Sequence, residues 1–366
     1  MSPLLVVCGG AGATGLVLLL VAFSKGSQSL RKYIITRLLL TIPMVLILAS
    51  VVFFVMRILP GDPVTSALGP RGTEASRERL RQELGLRDPI MVQYGRFLGQ
   101  VLTLDLGNSL VGGRRAVADV LSERLPATLE LIVPSMIAAL LLGILPGAIA
   151  GHRRKSTLDY GLRLYSIVIY SIPIFWLGLL LQLIFSVNFD LTPIAGRMDP
   201  VIRLSMTNNF TNIRTIDALL AGNWPAFRSA LSHLILPVAT LGLALSGVFV
   251  RLTRINLIEV LQEDYILSEH ARGLLERIVV YRHGLENALI PIVTLIGLYF
   301  AILLAGAILT ETVFSWPGMA QYLVDGIRDR DYPIVQGVIV AFALFVSLVS
   351  LAVDIIYAFL DPRIRY

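Results

Sequence analysis

The chain has 366 residues, of which 55% are hydrophobic and only 15% are charged, and its mean hydropathy is +0.76. A soluble domain has about a quarter of its residues charged, so this composition excludes an ordinary soluble protein and predicts an all-α polytopic membrane protein. The net charge of +6 comes from basic residues spread among short loops, where they set orientation, so it does not indicate nucleic-acid binding. The single cysteine, Cys8, excludes an internal disulfide.

Residues 1–30 form an N-terminal extension whose apolar run ends in LVLLLVAF, before Lys25. An extra transmembrane span, a signal sequence, or upstream residues from a misplaced start are the three interpretations. No positive charge precedes the run, which disfavours a signal peptide. Because Lys25, Arg31, Lys32 and Arg37 follow it, we favour an extra span with its N-terminus outside the cell.

Six further runs are long enough to cross a bilayer as helices, which requires about 20 apolar residues. Each contains proline or glycine, and neighbouring helices accommodate such interruptions in lipid. The runs lie between Arg37 and Arg57, Glu130 and His152, Arg163 and Asp190, Arg228 and Arg251, Glu286 and Glu311, and Asp331 and Asp354.

The short basic loop 152–155 (HRRK) is predicted to be cytoplasmic by the positive-inside rule. Counting spans from it places the loop 251–288 and the C-terminal DPRIRY in the cytoplasm as well. Within the long loop 60–125, SRERLRQELGL predicts a small helix with Leu80 and Leu84 on one face. The extracytoplasmic loops by this count are 60–125, 190–228 and 311–331.

The loop from Arg251 to Asn287 is charged, yet it is too rich in apolar residues for a disordered linker. Leu267, Ala271, Leu274 and Ile278 recur at helical spacing and predict an amphipathic helix. Such a helix between two spans suggests a docking element for a soluble partner. A helix lying in the lipid headgroups is the alternative.

Local signals within this loop predict two short helices rather than one flexible connection. Glu263 and Asp264 stand where negative charge favours a helix start, and Gly273 can adopt a left-handed turn that ends one helix before the next. Arg277 and Arg282 are available for acidic groups on a partner, with solvated surface charge as the alternative. A rigid element held at both ends by spans can transmit displacement.

Several kinds of chemistry are absent from the sequence. It contains no P-loop, no H-E-x-x-H and no G-x-S-x-G, and its four histidines lack metal-ligand spacing, so an enzyme is not predicted. The acidic residues Glu130, Glu311 and Asp354 lie near span ends, where interfacial placement or pairing with an arginine is expected. An ion-coupled carrier needs an acid or base near the midplane, so energy for uphill transport would come through a partner. A docking scaffold without transport is the remaining alternative.

Long stretches of the chain resemble the peptide/nickel permease family of binding-protein-dependent ABC importers, and within it the dipeptide permease subunits. The resemblance covers roughly residues 30–366. It is carried by RLLLTIPMVLILASVVFFVMRILPGDPV, ELGLRDPIMVQYGRFL, LDLGNSL, RLPATLEL, YSIPIFWLGLLLQLIFSV, LTPIAGR, EDYILSEHARGLLERIVVYRHGLENALIPIV, LTETVFSWPGM, RDYPIVQG and DPRIRY.

The resemblance implies a six-span type I ABC importer permease core over residues 31–366, in the bacterial inner membrane, with residues 1–30 outside it. It implies a second homologous permease, two cytoplasmic ATPases that bind ATP and magnesium, and an extracytoplasmic peptide-binding protein. This chain then has no cofactor, metal or catalytic residue of its own. Dipeptides or short peptides are the expected cargo, with oligopeptides, nickel complexes or haem-like ligands as alternatives.

By position, the resemblance assigns ATPase contact to the loop residues Glu263, Asp264, Tyr265, Glu269, Arg272, Gly273, Leu274 and Arg277, with Gly273 as the family's glycine. The sequence departs from the family where Ser268, Glu269 and His270 replace small or basic residues and Glu286 replaces a basic one. Candidates for the translocation path or an outer gate are Ser135, Tyr170, Ser171, Gln182, Arg197 and Trp316. Polar residues inside spans more often stabilise helix contacts than bind ligand.

Overall fold

The computed structural model describes residues 28–58, 61–69, 72–111, 113–206 and 210–360. These residues are mainly helical, and the β-pairing among them is limited to one isolated bridge between Asn108 and Ala116. The helices are α1 Gln28–Ile58, α2 Pro63–Leu68, α3 Glu74–Glu83, α4 Ile90–Thr103, α5 Val117–His152, α6 Thr157–Ser171, α7 Ile174–Leu181, α8 Pro200–Leu204, α9 Arg214–Leu220, α10 Trp224–Val260, α11 Asp264–Ala271, α12 Glu276–Ile278, α13 Leu285–Val313, α14 Met319–Arg328 and α15 Tyr332–Leu360, with π-helical turns at Gln182–Asn188 and Val279–Gly284.

Five helices in the described part of the chain are long and apolar enough to cross a membrane, which confirms five of the predicted spans. They are α1, α5, α10, α13 and α15, the fourth of these spans beginning with α12. The remaining predicted run, between Arg163 and Asp190, is not straight. The chain bends by 103° between α6 and the helical stretch Ile174–Asn188 that begins with α7. The proposed extra span in residues 1–30 lies outside the described residues.

The bend between α6 and α7 has a local cause. Pro173 has no backbone N–H to continue the helix, and the residue before a proline is disfavoured in the helical region. Ile172 accordingly has extended backbone, with φ −80° and ψ 125°. Other prolines, such as Pro43, Pro237 and Pro291, lie inside continuous helices, so proline alone did not predict which run would break.

The described helices divide into two compact units, and each is considered separately. The first comprises residues up to Thr128 together with 317–351. Its apolar core includes Phe53, Phe97, Val101 and Val340. The helix predicted within the loop 60–125 is confirmed as α3, where Leu80 is buried and Leu84 half-buried.

The second unit, which among the described residues comprises 129–316 and 352–360, is organised around α10, which packs against α6, α7 and α13. Glycines allow close approach of its backbone. A Cβ added at Gly147 of α5 would lie 2.7 Å from the Val250 carbonyl oxygen, and one at Gly247 would lie 2.8 Å from the Ser166 carbonyl oxygen. Small residues at helix crossings are how membrane helices pack tightly without a hydrophobic driving force.

Candidate coupling segment and membrane cavity

Residues 251–288, which we call the connecting segment, join α10 to α13 through two short helices. Helix α11 begins after Glu263 and ends at Ala271, and Gly273 follows with φ +76°. The predicted helix start and left-handed turn are therefore confirmed. No atom lies within 4 Å of a Cβ built at Gly273, so backbone conformation, not crowding, favours glycine there.

The base of the connecting segment is anchored by apolar contacts within the second unit. Ile266 of α11 is 1% exposed, and Val279 and Val280 of the π-helical turn are fully buried. Val280 packs in a cluster with Leu257 of α10 and with Ala148 and Ala288. The segment is thus fixed to the ends of α5, α10 and α13 rather than suspended as a loop.

The solvent-exposed surface of the connecting segment carries apolar as well as charged side chains. Leu267 is 61% exposed, Leu275 71%, and Leu274 and Tyr265 39% each. The prediction that Leu267, Ala271, Leu274 and Ile278 share one helix is wrong, because the chain turns at Gly273 and Ile278 belongs to α12. All four nevertheless remain exposed, which leaves apolar surface available to a partner.

Three of the four histidines lie at the connecting segment, each near a glutamate. His283 Nδ1 is 3.4 Å from Glu269 Oε1, and His270 and His152 approach the Glu276 carboxylate at 3.5 and 3.8 Å. The sequence showed only that the four histidines lack metal-ligand spacing. The remaining predicted contact residues Glu263, Asp264, Arg272 and Arg277 are exposed to solvent.

A buried ion pair ties α6 to the part of α10 that begins the connecting segment. The Arg254 guanidinium donates to both carboxylate oxygens of Asp159, at 2.5 and 2.9 Å, and Asp159 also accepts from the Lys155 backbone N–H at 3.0 Å. The Asp159 side chain is 1% exposed. Because the carboxylate is fully paired, the interaction fixes how the two helices meet.

A second buried ion pair brings Arg197 and Trp316, both outside the long helices, together with Glu130 of α5. Arg197 donates to the Glu130 carboxylate and, at 3.0 Å, to the Asn212 carbonyl oxygen, and its guanidinium lies 5.4 Å from the Trp316 ring centre. Glu130 also accepts from the backbone N–H and hydroxyl of Thr215, both at 2.8 Å. The predicted pairing of Glu130 with an arginine is therefore confirmed.

The other predicted path residues lie in different environments. Ser135 is fully buried and donates to the Leu131 carbonyl of its own helix at 2.7 Å. Gln182 donates to the Ile194 and Val313 carbonyl oxygens at 2.8 and 3.2 Å, which fixes the chain after the bend. Only Tyr170 and Ser171 of this group line the cavity described next.

A cavity of about 530 Å³ opens between α6, α10 and α13 at the bend. Its lining is mostly aliphatic and includes Tyr170, Ser171, Ala244, Arg251, Tyr299 and Ile302. The volume falls in the range of small-molecule binding sites, roughly 300–1,000 Å³. Sequence reasoning missed Arg251 and Tyr299 because hydropathy places them at a span boundary and inside an apolar run, without showing which side they face.

Several membrane-length apolar helices, a cavity between three of the helices and an anchored segment with exposed apolar residues together indicate a polytopic membrane protein. The chain belongs to the family described as binding-protein-dependent transport system inner membrane component, whose model matches residues 139–366. A model of the N-terminal part of such components matches residues 30–132. The chain is therefore a multi-pass permease of the bacterial inner membrane.

Three relatives illustrate the similarity. The dipeptide transport system permease protein DppB of Escherichia coli (strain K12) is 41% identical over 336 residues, covering 92% of this chain and 99% of the relative. The di/tripeptide permease DppB of Pseudomonas aeruginosa (strain UCBPP-PA14) is 41% identical over 91% of this chain and 98% of its own. The oligopeptide permease AppB of Bacillus subtilis (strain 168) is 36% identical, with 91% and 99% covered.

Proposed function

We propose that this chain is the permease subunit of an ATP-driven importer of dipeptides and other short peptides. Residues 31–366 form its transport region, with residues 1–30 as an extension that adds a span. The connecting segment is cytoplasmic and the loop 60–125 extracytoplasmic. The proposal rests above all on the connecting segment, which is anchored to the spans and yet exposes apolar side chains.

The partners follow from what the chain lacks and what it presents. Its sequence has no P-loop, so two ATPase subunits bind ATP and magnesium and dock on the connecting segment. A second homologous permease completes the path, and an extracytoplasmic binding protein delivers the peptide. Tyr265, Leu267 and Leu274 supply the apolar contacts for the ATPase, with Asp264, Arg272 and Arg277 around them.

The way displacement reaches the cargo can be followed along two helices. The connecting segment is continuous with α10 and α13, and the same helices supply Arg251 and Tyr299 to the cavity. Because Ile266 and Val280 are buried at its base, the segment moves with these helices instead of absorbing the motion. Nucleotide binding at the ATPases therefore changes the shape and access of the cavity.

The test is reconstitution of the four kinds of subunit in lipid vesicles, followed by measurement of labelled dialanine accumulation with and without ATP. We expect ATP-dependent accumulation that disappears when this chain is omitted. Competition with a pentapeptide and with a nickel chelate then compares the alternative cargoes. Accumulation that needs an ion gradient instead of ATP would assign the chain to ion-coupled carriers and contradict the proposal.

A further inference from the structure

The cavity between α6, α10 and α13 contains a single charged residue. Arg251 is the only ionisable group other than the tyrosines Tyr170 and Tyr299 among the described residues that line it. Within the described chain, the Arg251 guanidinium makes no hydrogen bond or ion pair, whereas Arg254, one turn further along α10, is fully engaged by Asp159. An unpaired guanidinium beside apolar surface favours an anionic partner.

Two tyrosine hydroxyl groups accompany this charge, whereas the hydroxyls of the lining residues Ser166 and Ser171 donate to carbonyl oxygens of their own helix. Tyr170 is 72% exposed and Tyr299 half-buried, and neither hydroxyl is hydrogen-bonded to any residue that the structure describes. The Tyr299 ring is held edge-on against Phe249, with ring centres 5.2 Å apart, so its hydroxyl is presented from a fixed position. Hydroxyls of this kind can donate to or accept from peptide amide groups.

The dimensions of the lining match a short peptide. On α10 the lining residues run from Leu241 to Arg251. At 1.5 Å per residue this length is about 15 Å. A fully extended chain covers at most ~3.6 Å per residue, so a dipeptide or tripeptide fits along this stretch with its carboxylate at Arg251.

We propose that Arg251 binds the C-terminal carboxylate of the peptide in the cavity, so that the permease itself discriminates in favour of a free C-terminus. This inference rests on the proposed function. The apolar lining accepts varied side chains, and Tyr170 and Tyr299 bind the peptide backbone. The specificity is therefore for the charge at the end of the peptide and not for its side chains.

The test uses the full reconstituted importer with dialanine and dialanine amide, each at a concentration that saturates the binding protein. Because a charge-assisted hydrogen bond is being removed, Arg251→Gln should reduce uptake of dialanine about tenfold. Uptake of the amide should stay unchanged. Arg251→Lys retains the charge and should restore much of the dialanine uptake.

The matched control is Arg163→Gln, which removes an exposed arginine from α6 that does not line the cavity. It should leave the ratio of dialanine to amide uptake at the wild-type value. If Arg251→Gln lowers both uptakes equally, Arg251 serves packing or orientation and the inference is wrong. If it changes neither, the guanidinium serves lipid headgroups, which also overturns the inference. A wild-type importer that accumulates neither peptide contradicts the proposed function itself.

Discussion

Ile266 and Leu267 offer a direct comparison of anchoring and docking in the connecting segment. They are adjacent aliphatic residues of similar size on α11, but Ile266 is 1% exposed and Leu267 is 61% exposed. If the segment is a rigid element that contacts a partner, truncating Ile266 should loosen the segment. Truncating Leu267 should only weaken the contact with the partner.

The size of the anchoring effect follows from burial. Replacing a fully buried isoleucine by alanine costs about 2–5 kcal/mol, and the lower end applies where the surroundings can relax. Local opening of α11 should therefore become about 30-fold more frequent for a loss of ~2 kcal/mol. The Leu267 side chain is already mostly in water. Leu267→Ala should therefore change the stability of the isolated chain by no more than about 0.5 kcal/mol.

Hydrogen exchange of the isolated permease measures this difference. The N–H groups of Arg272 and Gly273 donate to carbonyl oxygens of Ser268 and His270, at 3.1 and 2.9 Å, and their exchange reports on the end of α11. We expect faster exchange in Ile266→Ala and wild-type exchange in Leu267→Ala.

The reconstituted importer supplies the second measurement. Leu267→Ala should weaken ATPase association, whereas Ile266→Ala should lower the number of peptides moved per ATP hydrolysed. Equal exchange in both variants would refute the anchoring argument. Unchanged ATPase association in Leu267→Ala would refute its role in docking.

Three further predictions concern packing, the buried ion pair and the turn. Gly147→Leu should lower the amount of folded protein in the membrane and its Tm, because the added side chain meets the backbone of α10. Gly161→Ala places its methyl group in open space and should leave the Tm unchanged in the same thermal assay. Arg197→Ala should cost about 3–5 kcal/mol by leaving the buried Glu130 carboxylate without its partner, and adding Glu130→Gln should recover part of the lost Tm. Gly273→Val should reduce peptide uptake while membrane insertion persists, because φ +76° costs an ordinary L-residue about 1–2 kcal/mol. Gly273→Asn should retain most uptake, since asparagine tolerates this conformation better. Equal uptake by both variants would count against a conformational cause.

The sequence predicted the features that depend on neighbouring residues alone. Whether a run such as α13 crosses a membrane depends chiefly on the transfer free energy of its own side chains, so hydropathy was sufficient. The helix start at Asp264 agrees with the preference for negative charge in a first turn, and the turn at Gly273 follows from the backbone freedom of glycine. The same local reasoning overextended one helix through the Gly273 turn, because apolar spacing continues across it.

Only the tertiary structure decided which distant residues meet. Glu130 and Arg197 are separated by 67 positions, and Asp159 and Arg254 by 95, so no local pattern relates them. The side toward which Arg251 points is likewise set by how α10 packs between α6 and α13. Solvation of a span is additive along its own sequence, whereas pairing and cavity shape depend on the crossing of several helices, and those crossings exist only after the chain has packed.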